Sequence, residues 1–180
     1  ATVVDGTYEA LLHQLRHGDL DLMVGPLRGE RSPPDIDEQV LFVDRLLPVV
    51  RGGHPLLQGA GRRGPRTLAA LQRLPWIGPL PDTPARAAFE RAFAAAGLPA
   101  PMVQLQANSP SVLRAVLQAG DAVALVSAMQ IRAELAAGVL VLLRVPVSGT
   151  ERAIGVSQRR GGLASPACRA LLQQLQQVAA

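Results

Sequence analysis

The stretch that decides the fold runs from Leu11 to Gly25 and reads LLHQLRHGDLDLMVG. Its first half is helical by spacing. Tyr8, Leu11, Leu12 and Leu15 recur at helical intervals, and Gly18 supplies the stop. Its second half, residues 20–25, reads as a strand. The rest of the chain repeats this alternation of strands and helices, which predicts an α/β protein with mostly parallel sheets.

Working outward, residues 1–4 predict a short strand. Residues 28–38 are polar, carry Pro33-Pro34 and predict a loop. Residues 40–50 form a long apolar stretch interrupted by Asp44, Arg45 and Pro48. Proline cannot donate to a ladder, so Pro48 implies an edge or a bend. Residues 52–65 predict a glycine-rich surface loop. A short helix follows at 67–74, then a strand at 76–77. Helices are expected at 84–96, 110–119 and 128–137, each closed by a glycine: Gly97, Gly120 and Gly138. Strands are expected at 102–106, 122–126, 139–145 and 152–156, and a last helix at 166–178. No internal repeat is visible.

Composition narrows the function. The 180 residues are 48% apolar, 3% aromatic and 18% charged, which excludes a disordered chain. No apolar run approaches the ~18 residues of a membrane span. One cysteine, Cys168, excludes an internal disulfide framework and fits a reducing, cytoplasmic compartment. All 18 basic residues are arginine, and the net charge is +4. The dense groups, Arg62-Arg63-Gly64-Pro65-Arg66 and Arg159-Arg160, sit among glycine and proline and read as solvated loops. So few aromatics nearly exclude base-stacking platforms. The chain opens directly on strand-like residues, with no charged-then-apolar leader. It reads as a piece of something larger without a signal peptide.

Helix starts carry the main functional signal. Thr7, Thr83, Ser109 and Ser127 each stand just before an expected helix. Pro84 and Pro110 occupy the first helical position, and Ser165-Pro166 repeats the device. A hydroxyl accepts a free backbone N–H there, worth about 1 kcal/mol, and proline loses nothing at that position. In an open parallel sheet every strand-to-helix turn lies at the carboxyl edge, where ligands bind. Several helix N-termini there suit an anionic or polyhydroxyl small molecule.

Catalytic constellations are scarce. His13 and His17 are four apart on one helix, but the glutamate and third ligand of a zincin-like site are missing. They read as a polar helix face, and no metal is expected. His54 lies in a turn-like Gly53-His54-Pro55-Leu56. There is no Gly-x-Ser-x-Gly elbow, and Cys168 reads as packing. Gly59-Ala-Gly61-Arg-Arg-Gly64 matches Gly-x-Gly-x-x-Gly, with Asp82 beyond it, but Pro65 follows where a helix should begin. Neither a catalytic residue nor a cofactor is expected.

The order of segments resembles the effector-binding domain of LysR-type transcriptional regulators. Leu11-Leu12, Leu15, Gly18 and Leu20-Asp21 resemble one strip of that family. Leu41 through Leu46 to His54-Pro55-Leu56 resembles the next, and Leu74-Pro75-Trp76-Ile77 with the Thr83-capped helix another. Val116 to Val126 around Gly120, then Gly155-Val156 and Ser165-Pro166, complete the register. Ser127 stands where the family usually has proline.

The resemblance implies a type 2 periplasmic-binding-protein fold of two Rossmann-like lobes joined by two crossover strands. Lobe I would hold residues 1–44 and 150–180, without the family's first strand and helix; lobe II would hold 45–149. The helix-turn-helix domain would lie outside the chain. The implied effector is a small molecule, a sugar, sugar acid or small organic acid, held between the lobes. The residues implied to contact it are Thr7, Pro26, Leu27, Asp82, Thr83, Arg86, Asn108, Ser109 and Ser127. Some relatives carry an arginine near Pro26. A homodimer or tetramer is implied, with helix 8–17 and the lobe II helices as its interface, DNA being reached only through the missing domain. The alternatives are a transport solute receptor of the same fold and a nucleotide-dependent enzyme using Gly59 and Gly61.

Overall fold

A computed structural model describes residues 1–58, 65–162 and 165–179. The chain divides into two compact units. Unit 1 comprises Ala1–Val43 and Arg152–Ala180; unit 2 is Asp44–Glu151. The glycine-rich run at 59–64, with its arginines, lies outside the described residues.

Unit 1 begins with residues 1–6 in no regular element and largely exposed, so the strand expected at 1–4 is not formed. A strand exists only through a partner's hydrogen bonds, and these residues have no ladder. Helix α1 (Tyr8–His17) follows and stops at Gly18, whose φ of 87° is left-handed. That backbone is open to glycine at no steric cost, and its N–H closes the last turn. Strand β1 (Met23–Pro26) pairs antiparallel with β7 (Glu151–Arg159). Leu12 and Leu15 on the inner face of α1 meet Met23 and Ile36 in a small core. Arg159 reaches across and donates Nη1 to the carbonyls of Leu15 and Leu20. It caps the helix end whose own carbonyls have no intrahelical partner. Helix α5 (Pro166–Ala179) starts on Ser165, whose Oγ accepts from the Cys168 N–H at 3.1 Å.

Strand β2 (Ile36–Arg51) carries the chain into unit 2. There it pairs antiparallel with β5 (Val123–Ser127) on one side and β6 (Leu140–Leu142) on the other. Beyond β5 come β3 (Trp76–Gly78) and β4 (Val103–Gln106), both parallel to it and to each other. β3, β4 and β5 are joined to one another through helices, α2 (Pro84–Ala95) and α3 (Pro110–Ala119), as parallel pairing requires. The mostly parallel sheet expected from the alternation is therefore mixed. The strands that pass between the units do not arise from strand-helix-strand repeats.

Pro48 sits inside β2 without breaking it. Its carbonyl accepts from the Leu143 N–H at 2.8 Å. In an antiparallel strand a residue's N–H and C=O point the same way, so the missing donor faces Leu143, just past the end of β6. The ladder to β5 is untouched, so Pro48 marks the end of a ladder instead of an edge strand.

Both faces of the unit 2 sheet are covered, and period-two alternation sorts the residues. Leu46, Val50, Trp76, Val123 and Leu125 face α2, where Ala88, Phe89, Ala92 and Phe93 are buried. Val49, Ile77, Ala124 and Val126 face Leu117 of α3, Ile131 and Leu140. Trp76, Phe89 and Phe93 pack with ring centroids 5.2–5.4 Å apart. The buried indole donates to the Leu71 carbonyl at 3.0 Å, so the largest side chain leaves no orphan donor. Leu71 closes a single 3-10 turn, Leu68–Leu71, where a helix over 67–74 was expected. Similarly, the helix expected over 128–137 shortens to α4 (Arg132–Ala136).

His54 has a structural role. It is buried, its Nδ1 accepts from the Leu56 N–H, and its Nε2 donates to the Asp121 carbonyl, both at 3.0 Å. The Arg51–Asp121 ion pair at 2.7 Å fastens the same loop.

Candidate functional site

Because β3, β4 and β5 are parallel, their carboxyl ends lie at one edge of the unit 2 sheet. Five of the nine expected site residues follow those ends, and a sixth, Ser127, is the last residue of β5. Thr83 is the N-cap of α2. Its Oγ1 accepts from the Arg86 N–H at 3.1 Å and donates to the Leu80 carbonyl at 2.8 Å. Ser109 is the N-cap of α3, accepting from the Val112 N–H at 3.4 Å. Asn108 stands exposed beside it. The remaining free N–H groups of both helices make this edge attractive to negative charge.

Asp82 holds the turn before α2 with φ of 59°. It is the only non-glycine residue with positive φ among those described. That conformation costs roughly 1–2 kcal/mol for an L-residue, less for aspartate, whose side chain can bond locally. Strain of this kind gathers where a backbone is held for a purpose.

Arg86 lies in the first turn of α2, its charge paired along the helix with Glu90. Its Nε donates to Glu90 at 2.7 Å, and its guanidinium carbon stands 5.6 Å from the Phe89 ring centroid. Its Nη1 is buried without a hydrogen-bond acceptor.

Ser127 departs from expectation. It is not a helix cap but the last residue of β5, and it is buried. Its hydroxyl donates to Asp44 Oδ1 at 2.8 Å and accepts from the Met129 N–H at 3.2 Å. The backbone turns on that hydroxyl, and the helix is delayed until Arg132. With donor and one acceptor position engaged, Ser127 shapes the edge from beneath.

The other three expected residues belong to unit 1. Thr7 caps α1, its Oγ1 accepting from the Ala10 N–H at 3.4 Å. Pro26 ends β1, and Leu27 donates its N–H to the Ala153 carbonyl at 2.9 Å. The residues beside them complete a cluster that sequence reasoning missed. The Arg28 guanidinium lies 4.0 Å from the Tyr8 ring centroid, a cation–π contact. The Glu38 carboxylate accepts the backbone N–H groups of Arg28 and Gly29 at 2.9–3.2 Å. Burial pushes the Tyr8 phenol above its ordinary range, against the opposing pull of Arg28. The signal was an arginine two residues beyond Pro26, and only tertiary contact shows that it folds back over α1.

Among the described residues no group of three or more histidine, cysteine or acidic side chains could hold a metal ion. No helix among them is long and apolar enough to cross a membrane.

Comparison with known proteins identifies the family and the fold. The model of the LysR substrate binding domain matches residues 2–180. The chain is 36% identical over 174 residues to the HTH-type transcriptional regulator GalR of Pseudomonas putida, covering 97% of this chain and 43% of that one. The regulatory domain of CcmR from Synechocystis PCC6803, in complex with 2-PG, superposes with a TM-score of 0.74 at 21% identity, over 96% of this chain and 80% of that one. The effector binding domain of QuiR in complex with shikimate gives 0.77 at 17% identity, over 97% and 78%. The chain belongs to the LysR substrate binding domain family and has its type 2 periplasmic-binding-protein fold. It spans about half the length of the curated relatives it matches.

Proposed function

We propose that this chain is the small-molecule sensing domain of a transcription regulator, taking an anionic, hydroxyl-bearing effector at the carboxyl edge of the unit 2 strands. One observation carries the reading: two capped helix N-termini, Thr83 and Ser109, open on the same sheet edge with Arg86 beside them. Such an edge offers N–H donors, hydroxyls and a guanidinium, which together match a sugar acid or small organic acid. Two neighbours of the same fold hold small molecules, 2-PG and shikimate. The family resemblance offers Thr7, Pro26 and Leu27 of unit 1 as further candidates.

The domain does no chemistry. Its leverage is the difference in effector affinity between conformations, passed through a homodimer or tetramer in the cytoplasm to DNA-binding domains outside this chain.

A thermal-shift screen of sugars, sugar acids and organic acids tests the reading. A ligand at 100 times its Kd adds about 2.7 kcal/mol to stability. Thr83→Ala abolishes the shift produced by a hit while lowering intrinsic stability by only about 1 kcal/mol. No shift from any anion, or a shift untouched by Thr83→Ala, overturns the assignment.

A further inference from the structure

One motif plays no part in the effector site: His13 and His17, four residues apart on α1. Both are exposed, and their rings stand side by side with centroids 4.1 Å apart and planes 25° from parallel. His17 Nδ1 lies 2.8 Å from the His13 carbonyl oxygen. A carbonyl only accepts, so Nδ1 carries the proton and Nε2 is left with its lone pair toward solvent. This is how a metal-ligating histidine is set: its second nitrogen donates to a backbone carbonyl, fixing tautomer and direction.

The spacing fits a particular class of ion. With metal–nitrogen bonds of about 2.0–2.1 Å, each ring centroid stands roughly 3.2 Å from the ion, and two rings at a right angle stand roughly 4.5 Å apart. The observed 4.1 Å is near that value. A tetrahedral angle would need roughly 5 Å. Right-angled nitrogen donors are the geometry of Cu(II) and Ni(II), not of structural zinc. With His17 held by its bond to the His13 carbonyl, the ring that turns toward a shared ion is His13, about χ2, which is broad for histidine on an exposed face.

The surroundings accept the charge. His17 ends the helix, where the macrodipole is negative and favours cations, and where Arg159 already caps the Leu15 and Leu20 carbonyls, so the ion would be held by the two imidazoles and not by the helix end. The nearest arginine on the helix, Arg16, is held in a bidentate pair with Asp35 at 2.6 and 2.8 Å. The third histidine, His54, is buried with both ring nitrogens engaged, so it cannot compete.

We propose that His13 and His17 form a two-histidine chelating site on α1 for a square-planar transition-metal dication, Cu(II) above Ni(II). Cu(II) itself is the probe. Titrated into the 180-residue chain, it should bind at one equivalent above the background set by the double variant His13→Gln/His17→Gln, with two nitrogen donors in its electron paramagnetic resonance spectrum. Each single variant, His13→Gln or His17→Gln, should weaken binding by about tenfold or more, about 1.4 kcal/mol, and leave one imidazole donor. Both side chains are exposed and glutamine is a good helix former, so the variants keep the fold; circular dichroism checks this. Cu(II) binding equal in the wild-type chain and the double variant overturns the site. So does affinity unchanged in either single variant.

Discussion

The two units reach similar ends by different means. Unit 2 points its candidate groups with the backbone: parallel strands end at one edge, and each following helix opens there on a hydroxyl cap. Unit 1 does it with long side chains: Arg28 folds over Tyr8, Glu38 gathers two N–H groups, and Arg159 holds the end of α1. Backbone placement is written in a few adjacent residues. Side-chain placement depends on pairs far apart in sequence. The contrast teaches where a fragment of sequence suffices and where it does not.

The largest expected effect breaks unit 2 at its core. Phe93 is fully buried between Trp76 and Phe89. Phe93→Ala should cost about 4 kcal/mol by urea denaturation, through lost transfer energy and the cavity left behind. Among the described residues unit 1 has no comparable aromatic cluster; its core of Leu12, Leu15, Met23 and Ile36 is aliphatic. Leu15→Ala should therefore cost less, about 3 kcal/mol.

The next effect concerns two glycines facing each other in unit 1. Gly25 on β1 and Gly155 on β7 are register partners, yet only one is confined. A Cβ on Gly155 would fall 2.1 Å from the Gln39 carbonyl oxygen and 2.7 Å from Leu27 Cδ1. A Cβ on Gly25 would meet nothing within 4 Å. Gly155→Ala should destabilise by about 3 kcal/mol, the upper end of overpacking, because a backbone oxygen cannot step aside. Gly25→Ala should be close to neutral. Equal effects of the two would show that β2 and β7 are not in the contact described.

These pairs also show what could be read in advance. The helix limits at 110–119 and the caps Thr83 and Ser109 were legible because caps, proline and stop signals are local. The conformation of residues 1–6 was not, because the residues there favour strand but pairing decides. Ser127 looked like a cap from its neighbours. Its role follows from Asp44, eighty-three positions away, which accepts the hydrogen bond from its hydroxyl. Arg28 was passed over for the same reason: nothing near it in sequence announces Tyr8 as its partner.

The smallest expected effect sharpens the side-chain side of the comparison. Arg16 and Asp35 of unit 1 form a bidentate pair, both about half exposed. The hydrogen bond from Arg16 holds the Asp35 carboxyl below the usual carboxylate range, with burial opposing it and the Arg16 and Arg160 charges adding to it. A lowered folded-state pKa means that stability is gained where the unfolded carboxyl, near about 3.9, is already ionised, and is lost as pH falls through the folded value. Asp35→Asn should thus lower Tm slightly at neutral pH, and its gap from the wild-type chain should close as the pH is taken below about 4. High salt should narrow the same gap at neutral pH, since an exposed pair is screened. A gap that persists unchanged in acid would mean that Asp35 acts through packing, and that long-range charge pairs contribute less to unit 1 than its geometry implies.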